Sequence, residues 1–293
     1  LVLTCDEQGE ERALSNVCTH RANLVVKAAG SRRELVCGYH GRRFGLDGSL
    51  RAMPGFKGAE AFPGPCDDLP RIVLERWGPL RFVSLAPFAP LGELLAPLTE
   101  RLAGFPIGDL VPDPSATRTY QVKANWALYC DNYLEGFHIP FVHPALRREL
   151  EIGDYRTDLF PYTSLQTGIS PRGEEAFEDR VAAYYFWVFP NLMLNFYPWG
   201  LSVNVVEPVG PGRTRVHFLT YVSDPDRRGK GAGGDLDTVE MEDEAVVEAV
   251  QRGVSSGLYE RGRFSPDRER GVHHFHRLLA RFLEEGPPRP VEG

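Results

Sequence analysis

No apolar run in the 293 residues approaches the ~20 that a membrane-spanning helix needs. No charged-then-apolar leader is visible either. Basic charge is in short supply: 33 Lys and Arg face 40 Asp and Glu, for a net charge of −7. With no Lys/Arg run in addition, the chain does not read as a nucleic-acid binder. Five cysteines are too few and too scattered for a disulfide framework. A reduced, cytoplasmic setting is therefore expected, with some thiols available as metal ligands. The glycine-rich stretch RRGKGAGG (227–234) lacks the usual phosphate-binding patterns and reads as a mobile loop rather than a nucleotide site. No internal repeat is visible, and because the first residue is Leu1 rather than methionine, a preceding segment is expected. What is present is an ordinary globular composition, 42% hydrophobic and 25% charged, with length enough for two domains.

The stretch NWALYCDNYLEGFHIPFVHP (125–144) carries His138 and His143, with Glu135 three residues before the first. Two imidazoles this close suggest a metal. At ~100° per residue, however, positions five apart on a helix point ~140° away from each other. Pro140 lies between them, and within a helix it would remove a hydrogen bond and crowd the preceding turn. The stretch thus reads as a helix that kinks or ends near 137–140, which lets the rings converge. Taken alone, it is equally compatible with a buried aromatic helix end bearing two incidental histidines.

Residues 1–88 read as a β-rich module. LVLTC, DEQGEE and RALSNV suggest strand, turn and strand. Cys18-Thr-His20 follows directly, and Cys37-Gly-Tyr-His40 sits on a second glycine-bearing loop. Two cysteines and two histidines suit tetrahedral zinc. They equally suit a Rieske [2Fe–2S] cluster, in which two thiolates hold one iron and two imidazoles the other. Zinc sites of this composition usually pair Cys with Cys and His with His. Here each loop mixes the two, an order that resembles the Rieske signature, with Cys18 and Cys37 on one iron and His20 and His40 on the other. Cys5 and Cys66 have no histidine at matching spacing and read as ordinary residues. The Pro/Gly-rich stretch 54–70 is expected to be a surface loop, and 71–87 to return to β structure around Trp77-Gly-Pro.

Residues 89–293 form the second expected domain. A short helix is expected at 91–102, a strand at 116–126, and several strands between 154 and 222, with a hairpin turn at 209–212. Tyr184, Tyr185, Phe186, Trp187, Phe189, Phe196, Tyr197 and Trp199 make these strands strongly aromatic, and alternation sends about half of them away from any one face. The segment 235–256 has helical periodicity. With Val250 at 0°, Leu236, Val239, Val246, Val247 and Val254 fall within about 60° of it, and Asp243 sits at about 20°. Glu240 and Glu242 fall on the flanks. A carboxylate centred on a buried stripe is costly unless it is paired, hydrogen-bonded or on a metal. An arginine partner is one solution. The other makes Asp243 the third arm of a two-histidine, one-carboxylate facial triad, the arrangement of non-haem Fe(II) oxygenases. His273, His274 and His276 lie on a segment whose apolar spacing suggests a packing helix, and His217 lies in a strand pattern.

Over nearly its whole length the sequence resembles the α (oxygenase) subunit of Rieske non-haem iron ring-hydroxylating oxygenases. GYHGRRF resembles the second cluster loop, although Arg42 stands where an aromatic often follows and Ala22 where glycine is common in the first loop. NW-x(4)-DNYLEGFHIPFVHP resembles the iron-binding stretch, and the Asp after Glu in EDEAVVEAVQRG resembles its third ligand, Asp243. The resemblance implies an α+β fold, a Rieske domain joined to a catalytic domain whose antiparallel sheet is flanked by helices in a START/Bet v1-like helix grip. It implies electrons from NAD(P)H, passed by a separate reductase or ferredoxin to the [2Fe–2S] cluster and on to a mononuclear Fe(II) that activates O2. It also implies a head-to-tail homotrimer, with Glu135 in place of the usual bridging Asp between an iron histidine and a neighbour's cluster histidine. The substrate is expected to be an aromatic compound or a quaternary ammonium of the choline and betaine type. The competing expectations are a Rieske electron carrier without oxygenase chemistry and a zinc-binding interaction module.

Overall fold

The computed structural model describes residues 1–173 and 176–290. It divides into two units, Leu1–Leu91, with which Arg289 groups, and Gly92–Pro288. The first unit holds strands β1 (Val2–Cys5), β2 (Glu11–Leu14), β3 (Leu35–Val36), β4 (Arg43–Phe44), β5 (Leu50–Ala52), β6 (Arg71–Trp77) and β7 (Leu80–Ser84). They form a four-stranded antiparallel sheet in the order β1-β2-β6-β7 and a three-stranded one in the order β3-β4-β5. Short strands joined by glycine-bearing turns leave little room for a core. Leu14, Val25, Leu35, Phe44 and Leu69 supply most of it, together with Cys18 and Cys37. The stretch 54–70 contains no strand, only a run of turns and one short 3-10 helix, Pro65–Asp67.

The second unit begins along helix α1 (Leu91–Arg101), which buries Leu95 and Leu98. It continues through β8 (Val111–Pro112), β9 (Arg118–Val122), α2 (Trp126–Tyr133), α3 (Ile139–Val142) and α4 (Leu146–Glu149). Strands β10 (Arg156–Leu159), β11 (Thr163–Ile169), β12 (Val181–Val188), β13 (Leu192–Tyr197), β14 (Gly200–Gly210) and β15 (Arg213–Val222) follow, then α5 (Leu236–Ser255) and α6 (Arg270–Glu285). The strands make one antiparallel sheet in the order β10-β11-β12-β13-β14-β15-β8, with β9 also on β15. Helices α2, α5 and α6 close over it. Tyr129, Cys130, Val247, Val272 and Phe275 from the helices meet Trp187, Met193, Val206 and Val216 from the strands in one buried cluster. This is a mixed fold of antiparallel sheets and helices, as expected. No helix among the described residues is long and apolar enough to cross a membrane.

Two local expectations change. In the stretch 227–234, Ala232 and Gly233 are buried, and a Cβ on Gly233 would come 2.5 Å from Trp199 Nε1 and 2.7 Å from the Tyr197 ring. The glycines there permit close packing on two aromatic rings instead of mobility. On α5 the apolar stripe is buried only in part: Val250 and Val254 are 44% and 43% exposed, while Glu240 is 3% exposed. The face that packs is rotated from the apolar centre toward Glu240.

Candidate functional site

Helix α2 starts on Asn125, whose side chain accepts the Ala127 N–H at 3.0 Å, and ends at Tyr133, earlier than the proline suggests. The chain then turns through Gly136, where a Cβ would lie 2.7 Å from the Tyr155 ring. Pro140 occupies the first turn of α3, where its missing N–H is no loss. His138 is the residue before this one-turn helix and His143 the residue after it. That placement turns two side chains that would diverge on a regular helix toward each other, with Nε2 atoms 3.2 Å apart.

From α5, Asp243 brings Oδ1 to 3.0 Å from His143 Nε2 and 3.4 Å from His138 Nε2. The other ring nitrogens are already engaged. His138 Nδ1 lies 2.6 Å from Glu135 Oε1, and His143 Nδ1 lies 2.7 Å from Glu242 Oε2. An ionised carboxylate only accepts, so each Nδ1 carries the hydrogen, and in the neutral tautomer each Nε2 keeps a lone pair aimed at the convergence point. This is the donor set a facial triad presents, with outer carboxylates orienting the rings. His138, His143 and Asp243 are also the one group of potential ligands found close together among the described residues. Burial works to lower His138, but hydrogen bonds to Asp243 and Glu135 outweigh it and lift it to about 9. His143 is raised in the same way, against burial, by Asp243 and Glu242. Burial would raise Asp243, yet the two rings hold it below its ordinary value. A divalent cation at this point would take over the positive charge that those protons now supply.

Beside the triad lies a cavity of about 100 Å³, bounded by Tyr133, Tyr155, Tyr185, Tyr197 and Glu240 among others. Of the aromatic run on β12 and β13 only Tyr185 and Tyr197 reach it, while Phe186, Trp187, Phe196 and Trp199 are buried in the core. The alternation argument therefore holds. Tyr133 and Tyr155, which complete the ring of phenols, come from α2 and from the segment before β10, and no local pattern marks them. Tyr133 is fixed by hydrogen bonds through its hydroxyl to Asn195 at 2.7 Å and through its carbonyl from Gln166 at 2.7 Å.

In the first unit, both Cys/His loops are built alike. Ala22 N–H donates to the Cys18 carbonyl at 2.9 Å, and Gly41 N–H to the Cys37 carbonyl at 3.0 Å. Ala22 and Gly41 both adopt left-handed backbone, with φ of 56° and 73°. Ala22 thus holds a conformation that glycine would reach without steric cost. Cys18 and Cys37 are free and buried, and the rings of His20 and His40 lie 4.7 Å apart. Burial lifts the Cys18 thiol. It acts on Cys37 as well, but donors from the Tyr39 backbone, Asn23 and Cys18 outweigh it and leave Cys37 below its ordinary value. Two buried thiols and two neighbouring imidazoles carried on the same pair of loops fit a [2Fe–2S] centre with mixed ligation. Arg42, which replaces an aromatic, is 1% exposed, pairs with Asp67 and packs on the rings of Phe44 and Phe62.

The remaining histidines have other partners. His276 Nε2 donates to Asp131 at 2.9 Å, His274 packs edge-on to Trp187, and His217 Nε2 meets Glu207 at 2.9 Å. Glu240 and Glu242 were not singled out by helical periodicity, which placed both on the flanks of α5. Their partners, Tyr129 and His143, lie more than 90 residues away.

Comparison with known proteins agrees with both units. The family "Ring hydroxylating alpha subunit (catalytic domain)" matches residues 113–285, and the Rieske [2Fe-2S] domain matches residues 1–63. Choline monooxygenase of Arabidopsis thaliana, a chloroplastic protein, is 35% identical over 95% of this chain and 70% of its own length. The oxygenase subunit of carnitine monooxygenase from Escherichia coli K12 is 28% identical over 94% of this chain and 78% of its own. The chain spans about two thirds of the length of the plant choline monooxygenases it matches. Among solved structures, a quaternary ammonium Rieske monooxygenase in complex with gamma-butyrobetaine superposes with a TM-score of 0.75 at 26% identity, covering 96% of this chain and 80% of that one. The chain belongs to the Rieske ring-hydroxylating oxygenase α-subunit family, whose members join a [2Fe–2S] domain to a mononuclear-iron catalytic domain.

Proposed function

We propose that this oxygenase oxidises a small quaternary or methylated ammonium compound, and that His138, His143 and Asp243 hold its mononuclear Fe(II). Cys18 and Cys37 are assigned to one iron of the cluster, His20 and His40 to the other. Bound in the triad, iron supplies O2 activation, drawing on electrons that NAD(P)H provides through a reductase or ferredoxin. The chain's own residues do the rest. Glu135 and Glu242 hold the two imidazoles in the tautomer that presents Nε2. The phenol rings bound a cavity that limits water around the reacting centre.

The observation that carries the substrate class is this ring of tyrosines. Tyr185 stands at 6.1 Å from Tyr197 in an edge arrangement and at 6.4 Å from Tyr155 in a stacked one. Such faces attract a methylated cation through their quadrupoles, and the attraction grows when the site is desolvated. The names of the choline and carnitine relatives agree with this reading. Nothing favours the electron-carrier or zinc readings, because the triad converges and the catalytic-domain family matches.

We further propose a head-to-tail homotrimer in which Glu135 links His138 to a cluster histidine of the next subunit; His40 is exposed, which supports a path leaving the subunit. A cytoplasmic setting is proposed from the five unpaired cysteines. The test of the substrate class is reductase-dependent O2 uptake with a panel of methylammonium compounds and aromatic acids. Uptake and product formation are expected with the former. Turnover of aromatic acids alone would sink the reading.

A further inference from the structure

Among the described residues lining the cavity, Glu240 is the one carboxylate that neither orients a histidine nor joins the ligand group. It lies on α5 and lines the cavity. The Tyr129 hydroxyl donates to its Oε2 at 2.6 Å. Its Oε1 is fully enclosed and has no hydrogen-bond partner. A buried carboxylate oxygen that no protein donor reaches is expensive, and a cationic ligand in the cavity would offset that cost. Two further observations define that partner's charge. Among the described residues lining the cavity, no lysine or arginine occurs, whereas Glu135, Glu240 and Asp243 all do. Of the other polar groups in the wall, Gln166, Asn195, Ser202 and Asn204 are neutral, while His138 and His143 already face Glu135, Glu242 and Asp243.

We infer that Glu240 is the counter-ion and specificity-determining residue of the substrate cavity, selecting a small quaternary ammonium cation that carries no carboxylate. This deepens the quaternary-ammonium reading and rests on it. Tyrosine faces attract the methyl groups of choline-type and betaine-type compounds alike. Only the acid distinguishes them. A zwitterion must place its own carboxylate in a cavity that offers it no lysine or arginine and whose two histidines are already paired with carboxylates, next to Glu135 and Asp243, which repel it. A cation with a neutral hydroxyl tail meets no such penalty. Burial pushes Glu240 up to about 8, with Asp243, Glu244 and Asp237 adding to the shift and the Tyr129 hydrogen bond opposing it. A positive charge placed beside it offsets that burial and favours the ionised form.

The test is isothermal titration of the full chain, carrying its cluster and iron, with three probes: choline, L-carnitine and 3,3-dimethyl-1-butanol, the uncharged carbon isostere of choline. The unsubstituted protein is expected to bind choline about tenfold or more tightly than either of the others. In Glu240→Gln, choline binding should weaken by about 10- to 100-fold while the isostere changes little, so that the preference collapses. Glu240→Asp, which keeps the charge, should retain part of the preference. The cluster's visible spectrum should match the parent in both variants. L-carnitine binding as tightly as choline would overturn the inference without any variant and leave the quaternary-ammonium reading standing. Equal weakening of choline and isostere in Glu240→Gln would also overturn it. If no methylammonium compound binds at all, the underlying reading falls and the counter-ion role falls with it.

Discussion

Asp243 and Glu242 are neighbours on α5, yet they act on the triad at different removes. Asp243 offers Oδ1 directly to the point where both Nε2 atoms converge, whereas Glu242 reaches only the far nitrogen of His143. Asp243→Ala should therefore abolish mononuclear iron and substrate-dependent O2 consumption while the cluster's visible spectrum persists. Glu242→Gln should keep the site but weaken Fe(II) binding by about 10- to 100-fold. Metal analysis after graded chelation checks both, and Asp243→Ala protein that retains its mononuclear iron would remove Asp243 from the ligand set. Glu240 makes a second prediction at this scale. Its folded pKa of about 8 exceeds the unfolded value of 4.5 because burial disfavours the charge. Between those values the folded chain keeps a proton that the unfolded chain has released, so stability falls as pH rises from about 4.5 to about 8. Glu240→Gln cannot ionise and escapes this loss. In metal-free protein, its stability relative to the parent should grow across that window by an amount on the order of a few kcal/mol. Urea unfolding at the two ends of the window measures it, and parallel pH profiles would contradict it.

Among the elements, the two cluster loops depend on a segment that carries no ligand. Asp67, in the tight turn at Pro65–Asp67, accepts the Thr19 hydroxyl on its carbonyl at 2.7 Å and pairs its carboxylate with Arg42. One residue of the Pro/Gly-rich stretch thus ties the first loop to the second. Asp67→Ala leaves the buried Arg42 guanidinium without its carboxylate, which is destabilising. A fall in melting temperature is expected together with faster cluster bleaching in air. Restoring the apolar option with Arg42→Met in the same chain should recover much of the stability, and a double variant no better than Asp67→Ala would refute the pairing argument. The importance of Asp67 is invisible in sequence because its partners are loops distant along the chain. Asp243 was legible for the opposite reason: a single acid interrupting a valine stripe needs only helical periodicity to be noticed. That same periodicity misplaces Glu240, because the stripe continues to Val250 and Val254 beyond the part of α5 that is covered. Pro140 was legible as an interruption but not in its role, since α2 already ends at Tyr133 and Gly136 then lets the chain pass close to the Tyr155 ring, a tertiary contact. Alternation along β12 and β13 left open which of the aromatics face the cavity, where Tyr185 and Tyr197 lie, while Tyr133 and Tyr155 enter it from elements with no shared pattern.

For the whole molecule, the open question is whether a subunit's electrons serve its own iron. If Glu135 links His138 to the cluster histidine of a neighbour in a ring of three, each chain's cluster feeds the next chain's triad. Two inactive proteins should then complement each other. A Cys37→Ala chain lacks its cluster but keeps the triad, whereas an Asp243→Ala chain lacks the triad but keeps its cluster. Unfolding is not required to mix them if subunits exchange slowly; co-expression with two different affinity tags gives mixed assemblies directly. Light scattering should report three chains per particle. Doubly tagged assemblies should recover a substantial fraction of reductase-dependent turnover, because some junctions in a mixed ring join an intact cluster to an intact triad. Adding Glu135→Gln to the Asp243→Ala chain should leave that recovery unchanged, since the carboxylate that matters sits beside the working triad. Adding it to the Cys37→Ala chain should reduce it. The asymmetry is what an inter-subunit link demands and what a purely structural glutamate would not produce. Mixed assemblies that stay inactive, with each site intact by metal analysis, would confine electron transfer to a single chain.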